Sequence, residues 1–194
     1  MIRLVPTFIA LFIACPTYGF EILAIGTSNT NCKNAGQSYT ATLNEFLTQE
    51  KVNATVINAG VDGDRPTFML ARLEQNIKAN SNIKIVIFEP GPNEKNKRFN
   101  VGASGDILAY LQEQKIPTIY VSHQAIQSNE DASEMAQKYG AYYYGHWIKN
   151  VPIDREHRQY DDGSAGHMTP LGCQLWAKNL FPMLKQVILE KNIK

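Results

Sequence analysis

Four short segments carry side chains able to move a proton or hold a developing charge. Gly26-Thr-Ser-Asn-Thr30 offers the hydroxyl of Ser28, a poor nucleophile until a base takes its proton. Tyr160-Asp-Asp-Gly-Ser-Ala-Gly-His-Met-Thr-Pro-Leu-Gly172 offers such a base in His167, with Asp161 and Asp162 close enough in the chain to orient an imidazole. Asn58-Ala-Gly-Val-Asp-Gly-Asp64 supplies Gly60 and Gly63, whose backbone freedom lets either present an N–H to a ligand. In Glu89-Pro-Gly-Pro-Asn-Glu94 two prolines and a glycine stiffen a loop, lowering the entropy cost of holding the amide of Asn93. A hydroxyl, a base, a carboxylate and amide donors are the parts of acyl transfer. Each segment also has a plainer reading. Ser28 suits a turn or cap, Asn93 a turn, the glycines an ordinary strand-to-helix connection, and His167 an exposed loop with solvated aspartates. The spacing around Ser28 is not the Gly-x-Ser-x-Gly elbow. Thr27, Ser28, Asn29 and Thr30 ahead of a helix also suit a phosphate, as in a carrier of flavin mononucleotide.

The elements that must position these groups follow from hydropathy. Short β-rich runs fall at 21–25, 55–58, 83–88, 118–122 and 141–144. Amphipathic stretches fall at 39–49, 68–78, 105–114, 132–139 and 171–190. Ile83-Lys-Ile-Val-Ile-Phe88 is nearly all apolar, as in a strand covered on both faces. Leu43, Phe46 and Leu47 stand at i, i+3 and i+4, so the first helix buries one face. Alternation of strand and helix predicts an α/β fold: three layers, a flavodoxin-like domain, a five-stranded and mainly parallel sheet, right-handed crossovers. Ligands of such sheets bind beyond the carboxyl ends of the strands, where the segments at 26–30, 58–64 and 89–94 lie. Thr169 and Pro170 read as cap and first residue of the last helix.

The chain has 194 residues, 44% of them hydrophobic and 19% charged, enough for one domain that buries its own core. Nineteen basic against eighteen acidic residues leave a net charge of +1, which disfavours nucleic acid as a partner. Arg3, the apolar stretch 4–14 and the small residues that follow have the layout of a signal peptide over 1–19, leaving one domain over 20–194. The stretch is too short to span a bilayer. The product is therefore expected to be exported, periplasmic or secreted. Phe12-Ile-Ala-Cys15 weakly resembles a lipoprotein box, a less favoured route to the same compartment. His146, His157, His167, Asp161 and Asp162 match no compact metal-ligand spacing, so neither a metal nor another cofactor is expected.

Taken in order, Ser28, Gly63, Asn93 and His167 resemble the four blocks of the SGNH (GDSL-type) hydrolase superfamily of serine esterases and lipases. The resemblance spans the mature chain and implies a catalytic triad of Ser28, His167 and Asp162. It implies an oxyanion hole made by Ser28, Gly63 and Asn93, with Gly60 as the fallback. Thr27 stands where the family has Asp, and Glu94 where it has Asp. Four residues separate Asp162 from His167 where the family has two, so Asp161, or a backbone carbonyl serving a Ser-His dyad, is an alternative. If Ser28 and His167 meet, Cys32 and Cys173 are neighbours, and a disulfide between them would clamp both loops. The implied substrates are small acyl esters, acetylated sugars, lysophospholipids and thioesters. Phe68, Met69, Phe99, Trp147 and Met168 are candidates to line their pocket, core packing being the plainer role for several. The competing reading keeps the fold without the chemistry, as a cell-envelope or carbohydrate binding module.

Overall fold

The computed structural model describes residues 19–32, 37–159 and 166–194. The leader expected at 1–19 thus lies outside the described residues but for Gly19, as do Cys15, Asp161 and Asp162. The chain runs β1 (Phe20–Gly26), α1 (Ser28–Asn31), α2 (Tyr39–Gln49), β2 (Ala54–Gly60), α3 (Pro66–Ala79) and β3 (Ile83–Phe88). It continues through α4 (Lys97–Glu113), β4 (Thr118–Ser122), α5 (Asn129–Lys138) and β5 (Tyr142–His146). A two-residue pair, β6 (Arg158–Gln159) and β7 (His167–Met168), precedes α6 (Pro170–Glu190).

Strands β1 to β5 form one sheet in the order β2-β1-β3-β4-β5, every pairing parallel. This is the expected flavodoxin-like order. Alternation along the strands divides the core in two. Ile22 and Ala24 of β1, Ile85 and Ile87 of β3, and Ile119 and Val121 of β4 pack with Leu43 and Leu47 of α2 and Trp176, Leu180 and Leu184 of α6. Leu23, Ile25, Val86, Phe88 and Tyr120 face the other way, onto Met69 and Leu73 of α3, Leu108 and Leu111 of α4, and Ala132 and Ala136 of α5. A parallel sheet sealed on both faces needs apolar residues at odd and even positions alike, hence the unbroken run of β3.

In this order the connection after β1 leads to one neighbour and that after β2 returns to the other. A crevice opens beyond the carboxyl ends of β1 and β3. The loops carrying Ser28 and Asn93 stand there.

Candidate active site

Ser28 opens α1, a single turn capped by Thr27, whose hydroxyl accepts from the Asn29 N–H at 3.3 Å. The turn is fixed from below by Glu89, the residue after β3, which is fully buried. Its carboxyl accepts from the Thr27 N–H (3.1 Å), the Thr27 hydroxyl (2.8 Å), the Asn29 side-chain amide (3.1 Å) and the Thr30 hydroxyl (3.3 Å). Burial pushes the Glu89 carboxyl above its ordinary range, while the four donors pull it down. Gly26 is obligatory beside this cluster, because a Cβ there would stand 2.1 Å from the Thr30 hydroxyl and 2.7 Å from the Glu89 carbonyl.

His167 lies on β7, opposite Gln159 of β6. Its Nε2 is 2.8 Å from the Ser28 Oγ, across a sequence separation of 139 residues. The ribbon is braced by Arg158, which is 6% exposed, donates from Nη1 to the Gly166 carbonyl at 2.9 Å, and lies 4.8 Å from the centroid of Trp147. Immediately after β7, Thr169 caps α6 by accepting from the Gly172 N–H at 3.2 Å, with Pro170 as the first helical residue, as expected. Cys32, which ends α1, is joined by a disulfide to Cys173 in the first turn of α6. The bridge therefore ties the turn of Ser28 to the helix that follows His167.

Gly63 has a φ of +74° and nothing near its Cβ position, whereas Gly60 is paired within β2 and donates to its own strand's Asn58 Oδ1 at 2.9 Å. The loop holding Gly63 is anchored by Arg72, whose Nε donates to Asp64 at 3.0 Å and whose Nη1 donates to the Ala59 carbonyl at 2.9 Å. The Asp64 carbonyl in turn accepts from the Asn93 Nδ2 at 2.9 Å. One amide hydrogen of Asn93 is thereby used for orientation, and the other remains for a ligand.

Ser28, Gly63, Asn93 and His167 line one cavity of about 550 Å³, together with Asn29, His123, Trp147 and Arg158. The sequence candidates for its apolar wall divide. Trp147 lines it, but Met69 and Met168 are core residues, and Phe68 and Phe99 are 64% and 61% exposed and do not line it. Residue type alone cannot tell a core methionine from a pocket one, and Met69 and Met168 take the plainer core role. His146 and His157 are engaged elsewhere, with Ser122 and Asp154 at 2.8 and 2.7 Å. Sequence reasoning missed Glu89, His123 and Arg158. The signal for His123 was present, because it directly follows a predicted strand.

Chemically, a serine hydroxyl in contact with an imidazole nitrogen can give up its proton to it, beside backbone and side-chain N–H groups able to receive negative charge. No protein-family model matches the chain, and no curated protein matches it in sequence. Solved structures do. The chain is similar to the psychrotrophic esterase EstA from a Pseudoalteromonas species, at 14% identity and a TM-score of 0.73, over 86% of this chain and 97% of that one. It is similar to AlinE4, an SGNH-hydrolase family esterase, at 23% identity and a TM-score of 0.64, over 88% and 97%. A family 3 carbohydrate esterase from Clostridium thermocellum aligns at 14% identity and a TM-score of 0.70, over 87% and 97%. With a five-stranded parallel sheet in this order and helices on both faces, the chain has the SGNH-hydrolase fold.

Proposed function

We propose that the protein is a serine ester hydrolase working through an acyl-enzyme. The observation that carries this reading is the 2.8 Å contact between the Ser28 Oγ and the His167 Nε2 inside a cavity also lined by Gly63 and Asn93. His167 takes the proton of Ser28 as its oxygen attacks the ester carbonyl. The N–H groups of Ser28 and Gly63 and the free amide hydrogen of Asn93 receive the oxyanion. Collapse of the tetrahedral intermediate expels the alcohol, which takes the proton from His167. Water then enters by the same route in reverse and frees the acid. Asp162 is the proposed partner of the imidazole, fixing its tautomer and stabilising the imidazolium. The esterases among the structural neighbours support the reaction class.

Export is part of the same proposal. It is supported by the leader-like layout of 1–19 and by a disulfide, which persists in oxidising compartments. No helix among the described residues is long and apolar enough to cross a membrane.

A fluorophosphonate probe tests the reading directly. Wild-type protein is expected to carry the label on Ser28, with labelling and ester hydrolysis both lost in Ser28→Ala and in His167→Ala. Undiminished hydrolysis by Ser28→Ala refutes it.

A further inference from the structure

Beyond β3 the cavity runs past the ends of β4 and β5, about 10 Å at the ordinary spacing of strands. The acyl-transfer groups do not line this stretch. Its walls are His123, Gln124 and Ala125 after β4, and Trp147 and Ile148 after β5.

His123 is held in one chemical form. It is 8% exposed, and the Ala125 N–H donates to its Nδ1 at 3.1 Å. A nitrogen that accepts carries no proton, so the ring is neutral with its hydrogen on Nε2. The imidazole stacks on Trp147, ring centroids 5.8 Å apart and planes at 17°. Burial, with His146 and Arg158 nearby, keeps the ring from charging until about pH 4. The Nε2–H meets no acceptor among the described residues, although the ring lines the cavity. The Nε2–H is therefore open to the cavity, where a ligand acceptor can take the place of water. The side chain is thus a fixed, uncharged, single-proton donor on a wall that it shares with Gln124, Trp147, Ile148 and Arg158.

We infer that His123 is a specificity-determining residue whose Nε2–H donates to an uncharged oxygen of the substrate, selecting esters that carry an ether or hydroxyl oxygen beyond the scissile group, as polyol and sugar esters do, over plain hydrocarbon esters. The inference rests on the ester-hydrolase reading. Discrimination of about 10- to 100-fold in kcat/KM follows from leaving such a donor paired or unpaired.

Two isosteric ester pairs test this, one for each side of the scissile bond. They are p-nitrophenyl methoxypropanoate against p-nitrophenyl pentanoate, and tetrahydropyranyl acetate against cyclohexyl acetate, each corrected for its rate in alkali. In wild type the oxygen-bearing member of at least one pair is expected to be preferred by about 10- to 100-fold. His123→Phe keeps a ring against Trp147 but removes the donor, and brings that ratio to about one. His123→Gln, which retains an N–H, recovers part of it. Ratios near one in both wild-type pairs, or a preference that survives His123→Phe, overturn the inference. Failure of the hydrolase reading looks different, because no ester turns over and Ser28 takes no fluorophosphonate. The binding claim is then decided by heteronuclear NMR of the histidine rings in Ser28→Ala. The His123 Nε2 signal shifts on adding methyl methoxypropanoate or tetrahydropyranyl acetate but not their hydrocarbon counterparts. No shift with either oxygen-bearing ester overturns it.

Discussion

Asn93 has two amide hydrogens and uses one to stay in place, donating to the Asp64 carbonyl. Replacing it with alanine removes the proposed oxyanion donor, and kcat is expected to fall by about 10² to 10³ in steady-state assays. Asp162→Asn is expected to lower kcat by about 10⁴ through loss of the correct imidazole tautomer, with Asp161→Asn close to wild type. The reverse ranking would assign the carboxylate to Asp161. Glu89 acts one step back, since all four of its donors belong to the turn of Ser28. Glu89→Gln puts an amide N–H where donors already converge. It should cost about 1–3 kcal/mol in chemical denaturation and about 10²-fold in kcat, with KM little changed, because displacing the proposed nucleophile spares binding. Residue type and order singled out Ser28 and His167, whose side chains meet in the structure. Glu89 was not legible in this way, because its meaning lies in partners 59 to 62 positions away.

Elements were legible where apolar periodicity was strong. Ile83–Phe88, Thr118–Ser122 and Tyr39–Gln49 fall where the pattern put them, and α6 starts one residue earlier than expected. Helix α4 begins at Lys97 rather than at 105, because its first two turns are held by polar groups. The Asn96 side chain caps it, and buried Asn100 donates to the Gly91 carbonyl at 2.9 Å. Strands of two residues, like β6 and β7, are too short to show any period, yet they set His167 against Ser28. The disulfide acts at this scale. It closes a loop with a sequence separation of 141 residues, worth about 5 kcal/mol in the chain-entropy model, and its sulfurs lie in the core with Tyr39 and Trp176, stacked at 4.0 Å. Reduction, or the Cys32→Ser, Cys173→Ser double variant, is expected to lower Tm in calorimetry. Activity should fall well below the melting range, as α1 and α6 lose their shared anchor. Unchanged activity after complete reduction would mean that packing alone holds the two loops.

Across the whole molecule, stability should depend on pH through the same imidazole that we assign to recognition. His123 stays neutral in the folded protein down to about 4 against an ordinary 6.5, so between those values the unfolded chain binds a proton that the native state refuses. Stability therefore falls as pH drops through this window, by on the order of 3 kcal/mol from this residue. Denaturation of wild type and His123→Phe at neutral and acid pH isolates the effect: the variant loses less on acidification, and equal losses would contradict it. By itself the sequence determined the layer architecture, the strand order and the four loops that bear reactive groups. Hydropathic period and loop chemistry are local properties, written in neighbouring residues. Only the tertiary structure decided which of those groups meet, that Gly63 rather than Gly60 faces the cavity, that Cys32 reaches Cys173, and that Phe68 and Phe99 stand outside. Contact between residues more than a hundred positions apart depends on how the layers pack, and no local pattern records that distance.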